Sequence, residues 1–119
     1  MKRIVSLVAV LAVAAATVFA VVAYAGSNQA TVTTVKVTIK SFKFTLSKKS
    51  ATHGKVKFVV TNKDSIKHDF KIAGKKTPLL GKNKSASITV MLKKGKKYTY
   101  ICTVPGHAAA GMKGSFKAT

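Results

Sequence analysis

The stretch Cys102-Thr-Val-Pro-Gly-His107-Ala-Ala-Ala-Gly-Met112 decides how the rest of the chain is read. It sets a thiolate, an imidazole and a thioether at equal spacings near the C-terminus, which is a soft-metal donor set. A second imidazole stands upstream in Lys67-His68-Asp69-Phe70 and can supply the remaining equatorial position. Two His, one Cys and a weak axial Met are the donors of a mononuclear blue-copper centre. A strand that ends at Cys102 has to turn before His107 and again before Met112 if three side chains are to aim at one point. Pro105-Gly106 and Gly111 supply those turns, because proline presets one dihedral and glycine accepts positive φ.

Working outward from that loop, the chain alternates with period two, as half-buried strands do. Tyr98 and Tyr100 share a phase with Cys102, while Gly114, Phe116 and Ala118 share one with Met112. Upstream, His68, Phe70 and Ile72 form a third set, and Ile88, Val90 and Leu92 a fourth that should lead through a Lys93-Lys94-Gly95-Lys96 hairpin to Tyr98. Val56, Phe58 and Val60 precede a turn over Thr61 to Ser65, and Gly74 to Lys84 reads as a lysine-rich loop flanked by glycines. Val35, Val37 and Ile39 alternate on odd numbers, then Phe42, Phe44 and Leu46 on even ones. That change of phase at Lys40-Ser41 predicts a bulge or a strand crossing from one sheet to another. Seven to eight short strands, little helix and no repeat predict an all-β, Greek-key β-sandwich. His68, Cys102 and Met112 should then point inward near one pole of the core, with His107 closing the site from its turn.

The Cys-x4-His-x4-Met loop and the upstream His-Asp-Phe segment resemble those of the cupredoxins, and the likeness covers roughly Thr31 to Thr119. The spacing is similar to that of the rusticyanin, sulfocyanin and auracyanin groups. By that resemblance His68, Cys102 and His107 are equatorial ligands of one type 1 copper ion and Met112 is the axial ligand. Many family members carry Asn directly after the first His, where this chain has Asp69. An ionised carboxylate accepts hydrogen bonds and donates none, so the support of the Cys102 sulfur should differ here.

Other readings of the same residues are weaker. Zinc rarely takes a thioether, and a dinuclear copper site needs a second cysteine that the chain lacks. A catalytic copper needs more histidines than His53, which sits in Thr52-His53-Gly54 as a turn residue. Met91 is out of phase with its neighbours and carries no role. With Asp64 and Asp69 as the only acids, there is no material for hydrolytic chemistry, and no enzyme is expected.

Residues 1–25 have the form of an export signal: basic Lys2-Arg3, an apolar run from Ile4 to Val22, and small-x-small Ala23-Tyr24-Ala25. The expectation is an extracytoplasmic protein, periplasmic, secreted or on the cell surface; retention of residues 4–25 as a membrane anchor is the alternative. Residues 26–30 are a polar linker and 31–119 the folded domain. Cleavage leaves 94 residues, enough for one core that buries roughly 60 to 65% of the unfolded surface. A lone cysteine in an exported chain forms no internal disulfide, and metal ligation gives it a reason to be there.

Lys2 and Arg3 are two of the 22 basic residues; the other 20 are all lysines, set against Asp64 and Asp69, for a net charge of +18. Such a field attracts anions and repels its own copies, which predicts a monomer. Solubility alone is the plain reading of so many lysines. The functional one is docking to acidic protein redox partners, or to an anionic membrane or cell-wall surface. Nucleic acid is not expected, because the arginines suited to bidentate phosphate and base contacts are missing. The sequence as a whole therefore predicts a blue copper protein carrying one electron between extracytoplasmic redox partners. A copper-binding or delivery protein without redox turnover, and a polycationic surface-binding protein with a structural metal site, are the alternatives.

Overall fold

The computed structural model describes residues 31–119, so the export-signal and anchor readings of residues 1–25 and the linker 26–30 lie outside the described residues. Nine strands follow one another: β1 (Thr33–Lys40), β2 (Lys43–Leu46), β3 (Ser50–Ala51), β4 (Gly54–Asn62), β5 (Lys71–Ile72), β6 (Lys75–Lys76), β7 (Ser85–Leu92), β8 (Lys97–Ile101) and β9 (Lys113–Ala118). No helix occurs among the described residues. The count exceeds the expected seven to eight because β3, β5 and β6 are two residues long, too short to carry a readable period.

The strands form two sheets, one of order β2-β1-β4-β7 and one of order β3-β9-β8-β5-β6. β1 runs parallel to β4, and β3 to β9; the other ladders are antiparallel. The all-β sandwich is therefore as the alternation predicts. Val35, Val37 and Ile39 from β1, with Val56, Phe58 and Val60 from β4, are almost wholly buried against Phe70, Ile72, Tyr100, Phe116 and Ala118 from the other side. The intervening lysines of β1 and β4 are exposed, which is the one-face burial that fixes register in a half-buried sheet.

Three local expectations are corrected. The phase change at Lys40-Ser41 is neither a bulge nor a sheet crossing: β1 and β2 are one hairpin, with Lys40 paired to Lys43 and only Ser41 and Phe42 between them. Both turn residues have positive φ, 52° and 58°, the conformation of a type I′ turn. A two-residue turn pairs odd with even positions, so Ile39 faces Phe44 and Val37 faces Leu46. The shift of phase is thus the signature of the turn itself.

The Lys93–Lys96 segment is likewise not a hairpin. β7 pairs with β4 while β8 pairs with β9 and β5, so the segment crosses from one sheet to the other. Gly95 at φ 77° turns it, and its N–H donates to Ala118 O at 2.8 Å while Ala118 N donates to Lys96 O at 2.9 Å. The loop expected over Gly74–Lys84 is partly structured: β6 pairs with β5, Thr77 and Leu80 are buried, and Leu80 forms a two-way backbone bridge with His68. Backbone pairing with so few apolar residues leaves almost no trace in hydrophobic periodicity.

Aromatic packing joins the two sheets beneath the pole where β8 ends. Phe44 meets Phe70 edge-on at 5.2 Å and Tyr100 at 5.7 Å, and Phe58 meets Phe70 at 5.5 Å and Phe116 at 5.2 Å. Tyr100 lies across Gly114, its cross-strand partner on β9, so that a methyl group there would run into the Tyr100 ring. Gly114→Ala is expected to cost about 1 to 3 kcal/mol of unfolding free energy, the range for overpacking a filled site. Chemical denaturation would measure it, and an unchanged midpoint would show that the ring swings away freely.

Candidate metal centre

Cys102 directly follows β8 and is buried, with 1% of its surface exposed. Its N–H donates to Met112 O at 3.0 Å, which prolongs the β8–β9 pairing by one rung and closes the base of the loop between them. Inside that loop the backbone bonds to itself: His107 N to Val104 O (3.0 Å), Ala110 N to Gly106 O (3.1 Å), Gly111 N to Ala108 O (3.0 Å) and Met112 N to His107 O (3.1 Å). Gly106 and Gly111 take φ of 83° and 116°, so the turns stand where Pro105-Gly106 and Gly111 predict them. Between its ends the loop is held largely by its own hydrogen bonds, and its base is closed by the added rung of the β8–β9 ladder.

His68 reaches the same pole from a different direction, fixed by the backbone bridge to Leu80. It is fully buried, whereas His107 is half-buried at the rim. His68 Nδ1 and His107 Nδ1 are 3.0 Å apart, Cys102 Sγ is 3.5 Å from His107 Nδ1, and Sγ is 4.0 Å from His68 Nδ1. Nitrogen and sulfur donors about 2.0 to 2.3 Å from one ion stand roughly 3 to 4 Å from each other. The three atoms therefore converge as ligands of a single metal, and they are the potential metal-holding cluster found among the described residues. Met112 is fully buried and bonded through its backbone to both Cys102 and His107. The structure thus brings His68, Cys102 and His107 together and seats Met112 in the adjoining core. His53 lies apart, its Nδ1 2.8 Å from Thr119 O, and Met91 is exposed.

Burial pushes the Cys102 thiol above its ordinary value. Backbone N–H groups of Asp69 and Val104 act in the opposite direction, and the Asp69 carboxylate adds to the rise. Deprotonation at this sulfur therefore calls for a cation nearby, which a bound metal supplies.

Asp69 is buried and turns its carboxylate to Thr103: Thr103 N donates to Oδ1 at 2.6 Å, and the Thr103 hydroxyl donates to Oδ2. The Asp69 side chain thus braces the residue after Cys102 by accepting two hydrogen bonds, as its chemistry requires. Asp64 is a partner that neither strand phase nor loop spacing reveals. Its Oδ2 accepts from His68 Nε2 at 2.9 Å, which assigns the ring proton to Nε2 and leaves the Nδ1 lone pair for the metal. Partial burial works to raise the Asp64 pKa, but hydrogen bonds from Phe42 N, Ser41 N and His68 outweigh it and hold the carboxyl below its ordinary value. The available signal is scarcity: a chain with two acids places one four residues before His68 and the other directly after it.

The cupredoxin-like domain family matches residues 8–113, and the chain belongs to that family. Among solved structures, the fold is similar to auracyanin from Roseiflexus castenholzii, with 21% identity over 73% of this chain and 97% of that one, at a TM-score of 0.61. Auracyanin A from Chloroflexus aurantiacus, a blue copper protein, is 18% identical over 75% of this chain and 100% of its own, with a TM-score of 0.60. Rusticyanin from Thiobacillus ferrooxidans is 20% identical over 76% of this chain and 79% of its own, with a TM-score of 0.62. No curated protein sequence matches the chain.

Proposed function

We propose that this protein is a mononuclear blue copper electron carrier. The observation that carries the reading is the convergence of two imidazole nitrogens and one thiol sulfur within 4.0 Å of each other at a buried pole. Two imidazoles with one thiolate in a trigonal set are the donors of blue-copper electron transfer, with potential set by a weak axial ligand and by the polarity around the sulfur. Membership of the cupredoxin-like family and the likeness to auracyanin and rusticyanin support the same reading.

Copper bound here supplies a one-electron couple, and the chain's own residues define how that couple is used. Cys102 offers the thiolate and, through Ile101 and β8, a covalent route into the sheet. His68, with Nε2–H on Asp64, presents Nδ1 in a fixed orientation. His107 stands at the rim beside Ala108, Ala109 and Ala110, where a partner can approach over small apolar side chains. The backbone bonds of the 102–112 loop keep these donors in place as charge comes and goes, which limits rearrangement. Met112, buried and bonded through its backbone to Cys102 and His107, would be the fourth residue holding the ion, its thioether tuning the potential.

Met112→Leu is expected to keep the blue colour and raise the reduction potential, because loss of a weak axial donor destabilises the oxidised ion more than the reduced one. Protein-film voltammetry reads this directly. An unchanged potential would remove Met112 from the ligand set. The same voltammetry on the wild type tests the carrier reading: a reversible one-electron wave supports it, and copper that is held without a reversible wave favours storage or delivery.

The location that fits this function is outside the cytoplasm, and the partners that fit the surface are acidic proteins. Asp64 and Asp69 are both engaged at the site, with His68 and Thr103, and they set only two negative charges against the 20 lysines of residues 26–119.

A further inference from the structure

Phe42 occupies a backbone conformation that its side chain does not favour. Type I′ turns are the territory of Asn, Asp and Gly, and a bulky residue in the left-handed region is an outlier that asks for a reason. Here Ser41 at φ 52° and Phe42 at φ 58° are both in that region. Their two N–H groups converge on one carboxylate: Ser41 N donates to Asp64 Oδ1 at 2.7 Å and Phe42 N to Asp64 Oδ2 at 3.1 Å. The same Oδ2 receives His68 Nε2. Asp64 is itself anchored, since its N–H donates to Oδ1 of the fully buried Asn62 at 2.9 Å. Asn62 Nδ2 in turn donates to Ile66 O at 2.9 Å and to Leu80 O at 2.6 Å, the carbonyl that also takes the His68 N–H.

The outcome of this strain is the placement of one ring. Phe42 stands edge-on to His68, centroids 5.1 Å apart at 84°, and edge-on to His107, 5.0 Å apart at 71°. The two imidazoles meet each other at 4.8 Å. The other aromatic contacts among the described residues lie among Phe44, Phe58, Phe70, Tyr100 and Phe116, on the core side of the donor set. Phe42 alone caps both imidazoles.

We propose that Phe42 and Asp64 are positioning residues that together clamp the two imidazoles in their metal-binding orientation. The proposal rests on the copper reading of the site, but the clamp is a property of the chain and is present without metal. Asp64 fixes His68 through a hydrogen bond, and by holding the β1–β2 turn it also presses the Phe42 ring against both His68 and His107. His107, which is half-buried on a loop, gains its lateral support from Phe42. The strained turn is retained because relaxing it would move the ring off the histidines.

The decisive variant is Phe42→Gly. Glycine suits φ of 58°, so the turn is relieved and only the ring is lost. Two readouts follow, each normalised to an amide spectrum that reports a folded sandwich. In the metal-free protein, imidazole ¹⁵N relaxation should show both His68 and His107 rings becoming mobile. In the copper-loaded protein, Cu(II) affinity measured by chelator competition should fall by about 10- to 100-fold, the usual effect of losing an outer support of a ligand, with Phe42→Tyr restoring it. Asp64→Asn keeps the size of the side chain but puts an amide NH2 where one acceptor oxygen stood. It should loosen His68 and speed exchange of its Nε2 proton in the metal-free state.

Wild-type imidazole relaxation and copper affinity in Phe42→Gly would overturn the clamp. So would rings that stay rigid while only global stability falls, since a merely structural turn would do that. Failure of the copper reading is distinguishable: the wild type would then give no blue complex, while the imidazole measurement on the metal-free protein would still score the clamp.

Discussion

Cys102→Ala is expected to abolish the blue colour of the copper protein completely. The colour requires a thiolate on the metal, and Cys102 is the only cysteine in the chain, so no neighbouring sulfur can take over. The cavity left is small, because the change removes only the sulfur atom, and the backbone bond from Cys102 N to Met112 O does not involve the side chain. The variant should therefore fold, and His68 and His107 should still hold Cu(II), weakly and without intense absorption. Visible spectroscopy at equal copper loading makes the comparison. A variant that remained blue would show that the 3.5 Å and 4.0 Å approaches of Sγ to the two imidazoles are not those of a ligand.

The second large effect concerns charge. Residues 26–119 carry a net +18 with lysines on the outer faces of both sheets, such as Lys36, Lys40 and Lys57 on one and Lys71, Lys97, Lys113 and Lys117 on the other. If this field steers an acidic redox partner, the bimolecular electron-transfer rate should fall by about 10- to 1,000-fold as salt rises from a few millimolar, since steering raises association by that factor. Screening shortens the field to about 10 Å at 0.1 M salt. Reversing Lys71 and Lys113, which flank Ile101 across β5, β8 and β9, should slow association more than reversing Lys55 and Lys57 on β4. Stopped-flow rates against ionic strength decide the matter. A flat salt dependence would leave the lysines as solubilising residues and the copper site untouched.

How much of this is readable from the sequence follows from the period of each signal. Where strands alternate over six or more residues, as in β1, β4, β7 and β9, the buried faces are those the pattern predicts. The donor set is legible because His68, Cys102 and Met112 fall in phase with buried residues and because the turn residues between Cys102 and Met112 carry their own conformational signature. The Lys40–Lys43 hairpin is not legible: Ser41-Phe42 has none of the Gly or Asn that marks a type I′ turn, and the turn exists because Asp64, distant in sequence, binds both of its amides. The same long-range carboxylate explains why Asp64 and Phe42 do not stand out as parts of the site. The β7–β8 connection misleads for a different reason, since Lys93-Lys94-Gly95-Lys96 has hairpin chemistry and only tertiary pairing sends its two strands into different sheets.

Asp69 illustrates a residue whose role needs coordinates. Its carboxylate accepts from Thr103 N and from the Thr103 hydroxyl, while its own backbone N–H acts to lower the Cys102 thiol pKa against the effect of burial. Asp69 thereby braces the loop just after Cys102 as the acceptor of two hydrogen bonds. In the proposed copper site, a negative charge beside the sulfur would favour the oxidised ion.

The measurement that bears most directly on the copper assignment is a titration of the purified protein with Cu(II), followed by visible absorption. The geometry of His68, Cys102 and His107 predicts an intense blue complex that saturates at one copper per chain. Tight binding of copper without colour would contradict it.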